Sequence, residues 1–309
     1  MTNGLGDAYD GTIGRIKAQE GGRARLGMDA LMWISHSERP LKVDEIGSTD
    51  MNTNNVPSIR TVFNYCQGLA TIDEGSSTIR LVHFTLKEYS PGHASLFDRP
   101  HSKIAETCLT CLHFQAIKDL SVETSLAYPN YQRADVRIER LGLPPLLGYS
   151  SSHWGTHMRM EPLDLSRYLA LDLLDLLDQY DSHISAELFF VLTVERYYRL
   201  LPFSALRCVS HFGIDDVATD LIRTKRWDVN QRDEEGMTLL MWAARYGREE
   251  VVKFLLQQKH TQPDITDTIH SRTALSWAAQ SGHEAVVRLF LGPLFINPWS
   301  IGRGRGRHR

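Results

Sequence analysis

The sequence predicts a mostly α-helical protein of several parts ending in a stacked-repeat solenoid, and three observations carry that prediction. The first is an internal repeat between Phe203 and Leu291. Leu206 to Gly213, Leu240 to Gly247 and Leu275 to Gly282 align, and the glycines fall 34 and then 35 residues apart. The second is the apolar run that follows each glycine at helical spacing: Val217, Leu221 and Ile222, then Val251, Val252, Leu255 and Leu256, then Val286, Val287, Phe290 and Leu291. Units of this length with two short helices bury their apolar faces against one another. The third is helical periodicity in several stretches of the preceding chain, with one pair of short strand-like runs.

The 309 residues have room for two or three domains, and 42% hydrophobic with 23% charged residues is an ordinary globular composition. A net charge of -3 gives no overall attraction to nucleic acid or anionic membranes. Four irregularly spaced cysteines make no disulfide framework, the N-terminus has no signal-peptide pattern, and no apolar run reaches the roughly 20 residues of a membrane span. A reducing, cytoplasmic setting is expected.

Residues 1–22 are Gly-rich and polar and are expected to be flexible. From Arg23 the pattern becomes helical, with Ala24, Met28, Leu31, Met32 and Ser35 on one face, Gly27 as its weak spot and an end before Pro40. After a polar loop from Asp50 to Asn55, Pro57 suits a first turn, and Ile59, Val62, Phe63 and Cys66 give the next stripe. Leu69 to Ile72 and Thr78 to Phe84 read as strands around Asp73-Glu74-Gly75-Ser76. Two helices and a small hairpin suggest a winged helix over residues 23–98. Residues 99–200 read as a helical linker. Its first helix starts at Pro100, capped by Ser102, and buries Ile104, Cys108, Leu109, Cys111 and Leu112. Asp119 to Ser152 looks like loop, with Tyr128-Pro129-Asn130 and Leu143-Pro144-Pro145 as breakers, and helices follow over Ser166 to Tyr180 and Ile184 to Tyr198.

Thr238-Leu239-Leu240-Met241-Trp242-Ala243-Ala244 and Thr273-Ala274-Leu275-Ser276-Trp277-Ala278-Ala279 resemble the Thr-Pro-Leu-His-x-Ala-Ala core of the ankyrin repeat. Arg25 to Ile34, Leu81 to Tyr89 and Trp154-Gly155-Thr156-His157 look like fungal NACHT-ankyrin proteins, signalling NTPases of the STAND class. In those a P-loop NACHT domain precedes a winged helix, a helical linker and an ankyrin array. Their winged helix carries the name of the one in GPI inositol-deacylase, which labels a domain and not a reaction. Two departures stand out. That family has another helix between the motifs that here join directly as Asp44-Glu45 and Ile46-Gly47-Ser48, and this sequence holds no G-x-x-x-x-G-K-[ST] phosphate loop.

No motif for chemistry survives its bland alternative. Cys108-Leu109-Thr110-Cys111 with His113 has the spacing of half a zinc site, but both cysteines fall on the buried stripe, where Cys behaves as a small hydrophobe. Asp172, Asp175 and Asp178 are the solvated face of a leucine helix, and His153 and His157 lack a glutamate partner. There is no G-x-S-x-G elbow. No catalytic residue, metal or cofactor is therefore expected. As an alternative function, a winged-helix nucleic-acid-binding regulator would dock its second helix in a groove, yet the helix from Val56 to Cys66 has Arg60 as its one cation.

The repeats, residues 201–292, keep the N-cap threonines Thr238 and Thr273, the close-packing pairs Ala243-Ala244 and Ala278-Ala279, and the helix-ending glycines. The first unit is degenerate, with Ser204 for Thr and Cys208-Val209-Ser210 for Trp-Ala-Ala. Residues 293–309 read as a disordered Gly/Arg tail, and Pro293 to Trp299 is what could cover the last unit. The ankyrin resemblance implies a protein partner bound at the repeat tips and first helices. Carried over by position, the contact residues are His211 and Phe212, then Glu234, Glu235, Met237, Arg245 and Tyr246, then Ile269, His270, Arg272, Gln280 and Ser281. Trp242 and Trp277 are read as core, and Arg248 and Glu249 as solvated. The expected function is a non-catalytic interaction module resembling the sensing half of a NACHT-ankyrin protein, with contact to a NACHT domain in full-length relatives and neither membrane nor nucleic acid as a partner.

Overall fold

Residues 1–22, expected to be flexible, instead contain a helix, α1 (Asn3–Lys17). Tyr9, Ile13 and Ile16 recur at helical spacing and are buried, and that packing outweighs the low helix propensity of the glycines between them. The computed structural model describes residues 3–47, 58–83, 96–120, 143–161, 169–193 and 204–292. It divides into two units, Met1–Tyr198 and Arg199–Arg309. The protein is mostly helical, with one two-stranded sheet among the described residues. The loop from Asp50 to Asn55, the Tyr128-Pro129-Asn130 breaker and the Gly/Arg tail lie outside the described residues.

In the first unit α2 (Arg23–His36) buries Leu31, Met32 and Trp33 and packs on α4 (Ile59–Tyr65). Gly27 is no weak spot. A Cβ there would lie 2.8 Å from the Tyr65 carbonyl oxygen, so the two helices approach only because this residue has no side chain. The joined motif Asp44-Glu45-Ile46-Gly47 is held by a one-turn helix, α3 (Val43–Gly47), whose buried Glu45 accepts the Lys42 N–H and a two-pronged bond from Arg39 at 2.8 and 2.6 Å. The strands β1 (Ala70–Asp73) and β2 (Thr78–Leu81) pair antiparallel with Ala70 opposite Leu81. Ile79 N–H also donates to Leu41 and Val43 N–H to Ser77, so the chain before α3 lies along β2 and widens the wing.

The next helices are α5 (Pro100–His113), α6 (Gln115–Lys118), α7 (Leu147–Met160), α8 (Leu169–Asp178) and α9 (Ile184–Thr193). Ser102 is not the cap of α5. Arg99, in a left-handed conformation, takes that place, and Glu161 Oε2 accepts the Ser102 N–H at 3.0 Å. The predicted loop also ends too late, because α7 begins at Leu147. Ser151 and Ser152 bond back to the carbonyls of Leu147 and Gly148, while Tyr149 and Trp154 are fully buried against α5. Cys108 and Cys111 lie in that same apolar contact, where burial raises both thiols, Cys111 to about 11. Asp175 and Asp178 are on the exposed face of α8.

His157 is a buried polar hub. Its Nε2 meets the Tyr149 hydroxyl at 2.7 Å and its Nδ1 meets His101 Nδ1 at 2.7 Å. The Tyr149 oxygen also accepts the Glu38 N–H at 3.1 Å, so a backbone group, the phenol and two imidazoles form one hydrogen-bonded chain. Burial, then the neighbouring His101, His153 and His36, lower its pKa to about 3.

The second unit stacks three helix pairs: α10 (Ala205–Phe212) with α11 (Asp215–Arg223), α12 (Leu239–Arg245) with α13 (Glu249–Leu256), and α14 (Ala274–Gln280) with α15 (Glu284–Leu291). Ser204, Thr238 and Thr273 cap the first helices by accepting N–H groups three residues on. First helix packs on first helix and second on second, and Ala243 and Ala244 are fully buried between them. Arg248 is not simply solvated. Its guanidinium lies over Gly213 and donates to the carbonyls of Ser210 and His211, closing the end of α10. His283 does the same one unit later, its Nε2 3.0 Å from the Arg245 carbonyl.

Candidate functional site

Two carboxylates in the tips before α12 and α14 organise the face built from the first helices. Asp233 Oδ1 accepts the N–H groups of Glu235 and Met237 at 3.0 and 2.9 Å, while its Oδ2 accepts the Trp242 indole N–H at 2.7 Å and the Ser204 hydroxyl at 2.8 Å. Asp267 repeats the arrangement, taking the N–H groups of Ile269, His270 and Arg272 and, at 3.1 Å, the Trp277 indole. Burial opposes its charge, but these donors outweigh burial and hold the Asp267 carboxyl below the usual carboxylate range. Each bond fixes the plane of an indole.

Three arginines stack on those rings. Arg207 lies 4.8 Å from the Trp242 centroid, Arg245 lies 5.2 Å from Trp242 and 4.5 Å from Trp277, and Arg272 lies 4.9 Å from Trp277. The order along the face is Arg207, Trp242, Arg245, Trp277, Arg272. Tyr246 stacks on Trp242 at 5.9 Å, and His211 and His270 set their edges against Tyr246 and Trp277. Arg207 also reaches Glu235 at 3.6 Å and the Tyr246 hydroxyl at 3.4 Å. Burial raises the Glu235 carboxyl against the attraction of Arg207.

Of the positions expected at the contact face, Glu234, Ile269, His270, Gln280 and Ser281 are exposed, and His211, Glu235, Arg245, Tyr246 and Arg272 are half-buried. Phe212 and Met237 are corrections, at 3% and 1% exposure. Phe212 closes α10 against the stack, and Met237 precedes the Thr238 cap with its N–H tied to Asp233, so both side chains serve the core. Trp242 and Trp277 are buried as expected, at 0% and 4%. Sequence reasoning missed Arg207, Asp233 and Asp267. The repeated spacing of an Asp nine or ten residues before each Trp was a usable signal. Arg207 had none, since it sits in the first turn of α10, whereas Arg245 and Arg272 were expected from their place in the repeat.

Among the described residues no three metal-ligating side chains stand together, and no helix is long and apolar enough to cross a membrane. Arg60, the cation of the nucleic-acid alternative, is exposed on α4.

Residues 206–299 match the family of ankyrin repeats in three copies. The chain carries ankyrin repeats. Residues 15–97 match the family described as GPI inositol-deacylase, winged helix domain. The chain is also similar to acyl-CoA-binding domain-containing protein 6 of Bos taurus, 55% identical over 42 residues, which are 14% of this chain and 15% of that relative. The similarity therefore spans well under two thirds of the relative's length. Ankyrin repeats mediate protein interactions without catalysis, and the Arg–Trp ladder lies on the side of the ankyrin stack made by first helices and tips.

Proposed function

We propose that this chain is a non-catalytic protein-interaction module, similar to the regulatory and sensing half of a fungal NACHT-ankyrin signalling protein, that binds its partner on the ankyrin face in the cytoplasm. The observation that carries this reading is the set of half-buried side chains Arg245, Tyr246 and Arg272, held in place by the buried Trp242 and Trp277, because arginines and aromatics beside open tips are the side chains that dominate binding energy at interfaces. In a full-length relative the winged helix would contact the NACHT NTPase, and partner docking would release or assemble it.

The test is the affinity of a purified partner, measured by surface plasmon resonance, for the chain and for the double variant Tyr246→Ala, Arg245→Ala. A loss of about tenfold or more is expected, as anchors typically cost more than about 1 kcal/mol each. Unchanged affinity removes the face. The nucleic-acid alternative predicts a shift of duplex DNA at low salt that Arg60→Ala abolishes, and no shift ends it.

A further inference from the structure

We propose that the segment docking on this face is acidic, a stretch of a partner protein whose Asp or Glu carboxylates reach Arg245 and Arg272 beside Trp277. The proposal rests on the docking reading above and names the chemistry of what docks.

The charges of the face are unequally matched. Arg207 is answered by Glu235 at 3.6 Å. Asp233 and Asp267 are filled from within by backbone N–H groups and indoles. Among the described residues, no carboxylate lies within 4.0 Å of the Arg245 or Arg272 guanidinium, Glu235 attracting Arg245 only from farther off, and both sit within 5 Å of the Trp277 centroid, at 4.5 and 4.9 Å. Two like charges against one ring repel each other, and bound carboxylates relieve that repulsion.

A guanidinium set over a ring face by its charge still has N–H donors to be met. A carboxylate meets two of them at once, in the geometry that suits it best. The indole is held by Asp267 and the guanidiniums by the indole, so little freedom remains to be lost on binding. A neutral segment would strip water from both guanidiniums without replacing it, and a basic one would be repelled. A nucleic acid fits less well, because the face carries Glu235 against Arg207 and a continuous run of phosphates would meet it, whereas an acidic segment can set single carboxylates at the two guanidiniums.

The experiment selects a random-peptide display library on the full chain, then measures fluorescein-labelled copies of the recovered peptides by fluorescence polarisation. Recovered sequences should be enriched in Asp and Glu, should weaken about tenfold or more for each essential carboxylate changed to its amide, and should weaken similarly with Arg245→Gln or Arg272→Gln. Arg272→Lys, which keeps the charge and loses the planar fork, should fall between, and it guards against a glutamine variant that misfolds. Peptides that need Tyr246 but tolerate amides overturn the acidic preference and leave the docking face standing. Peptides indifferent to Tyr246, Arg245 and Arg272, or a library that yields no binder, overturn both. Displacement of the peptides by a mixed-sequence single-stranded oligonucleotide at equal concentration also overturns the proposal in favour of nucleic acid.

Discussion

Trp242 donates its indole N–H to Asp233 Oδ2 at 2.7 Å, which ties the central helix of the ankyrin stack to the tip that precedes it. The same oxygen holds Ser204, so this carboxylate also joins the first ankyrin repeat to the second. Asp233→Ala leaves an indole, a hydroxyl and two backbone N–H groups without their acceptor. A loss of about 2–4 kcal/mol is expected, read by urea unfolding followed through tryptophan fluorescence. An unchanged midpoint would show that water replaces the carboxylate at no cost.

Ser271 stands where the preceding unit has Gly236, and both adopt positive φ, 53° and 72°. Ser271→Gly should therefore stabilise the repeats by up to about 1 kcal/mol by relieving a conformation that side chains disfavour. Gly236→Ala should do the opposite and by more, because its new Cβ would lie 2.6 Å from Thr268 Cγ2 and 2.7 Å from Arg232 Nη2. Thermal melting of the two variants separates strain from crowding.

Gly27 and Gly14 both lie inside helices, yet alanine should act on them in opposite directions. At Gly14 nothing lies within 4 Å of an added Cβ, so alanine gains up to about 1 kcal/mol of helix propensity. At Gly27 the methyl group meets the Tyr65 carbonyl at 2.8 Å and pushes α2 from α4, for an expected loss of about 1–3 kcal/mol. Denaturation curves followed by far-ultraviolet circular dichroism give both signs.

Acid should unfold the first unit through its buried histidines. Burial, with Arg39 nearby, lowers His153 to about 4, and burial lowers His183 to about 4 and His157 to about 3, against an ordinary value of 6.5. As pH falls below about 6.5 the unfolded chain takes up protons that the folded chain refuses, so stability present above 6.5 declines down to about pH 4 and below. Melting temperatures between pH 7.5 and 4.5 should show this decline, and His157→Gln should flatten it. A flat wild-type profile would contradict neutral burial of these rings.

Legibility in the sequence followed the range of the interaction that decides each feature. The repeat period, the three first-helix caps at Ser204, Thr238 and Thr273, and the hairpin of β1 and β2 were readable because a few adjacent residues determine them. Helices α1 and α7 were misread, since Gly6, Gly11 and Gly14 in one and the Ser150 to Ser152 run in the other lower local propensity, and only burial of Tyr9, Ile16, Tyr149 and Trp154 against other helices offsets that. At the candidate site the exposed tips Glu234 and Ile269 were readable from repeat position, while Phe212 and Met237 were misplaced because position in a unit does not say which way a side chain turns.

The sequence by itself therefore determined that residues 201–292 form stacked helix pairs and that a small winged helix lies before them, because periodicity, capping and turn chemistry act over a few residues. Only the tertiary structure decided that Arg207, Arg245 and Arg272 stack on Trp242 and Trp277, and that His157 stays neutral between Tyr149 and His101. Those contacts join side chains from different helices or different units, and their energies exist only once packing has removed water and fixed the distances between them.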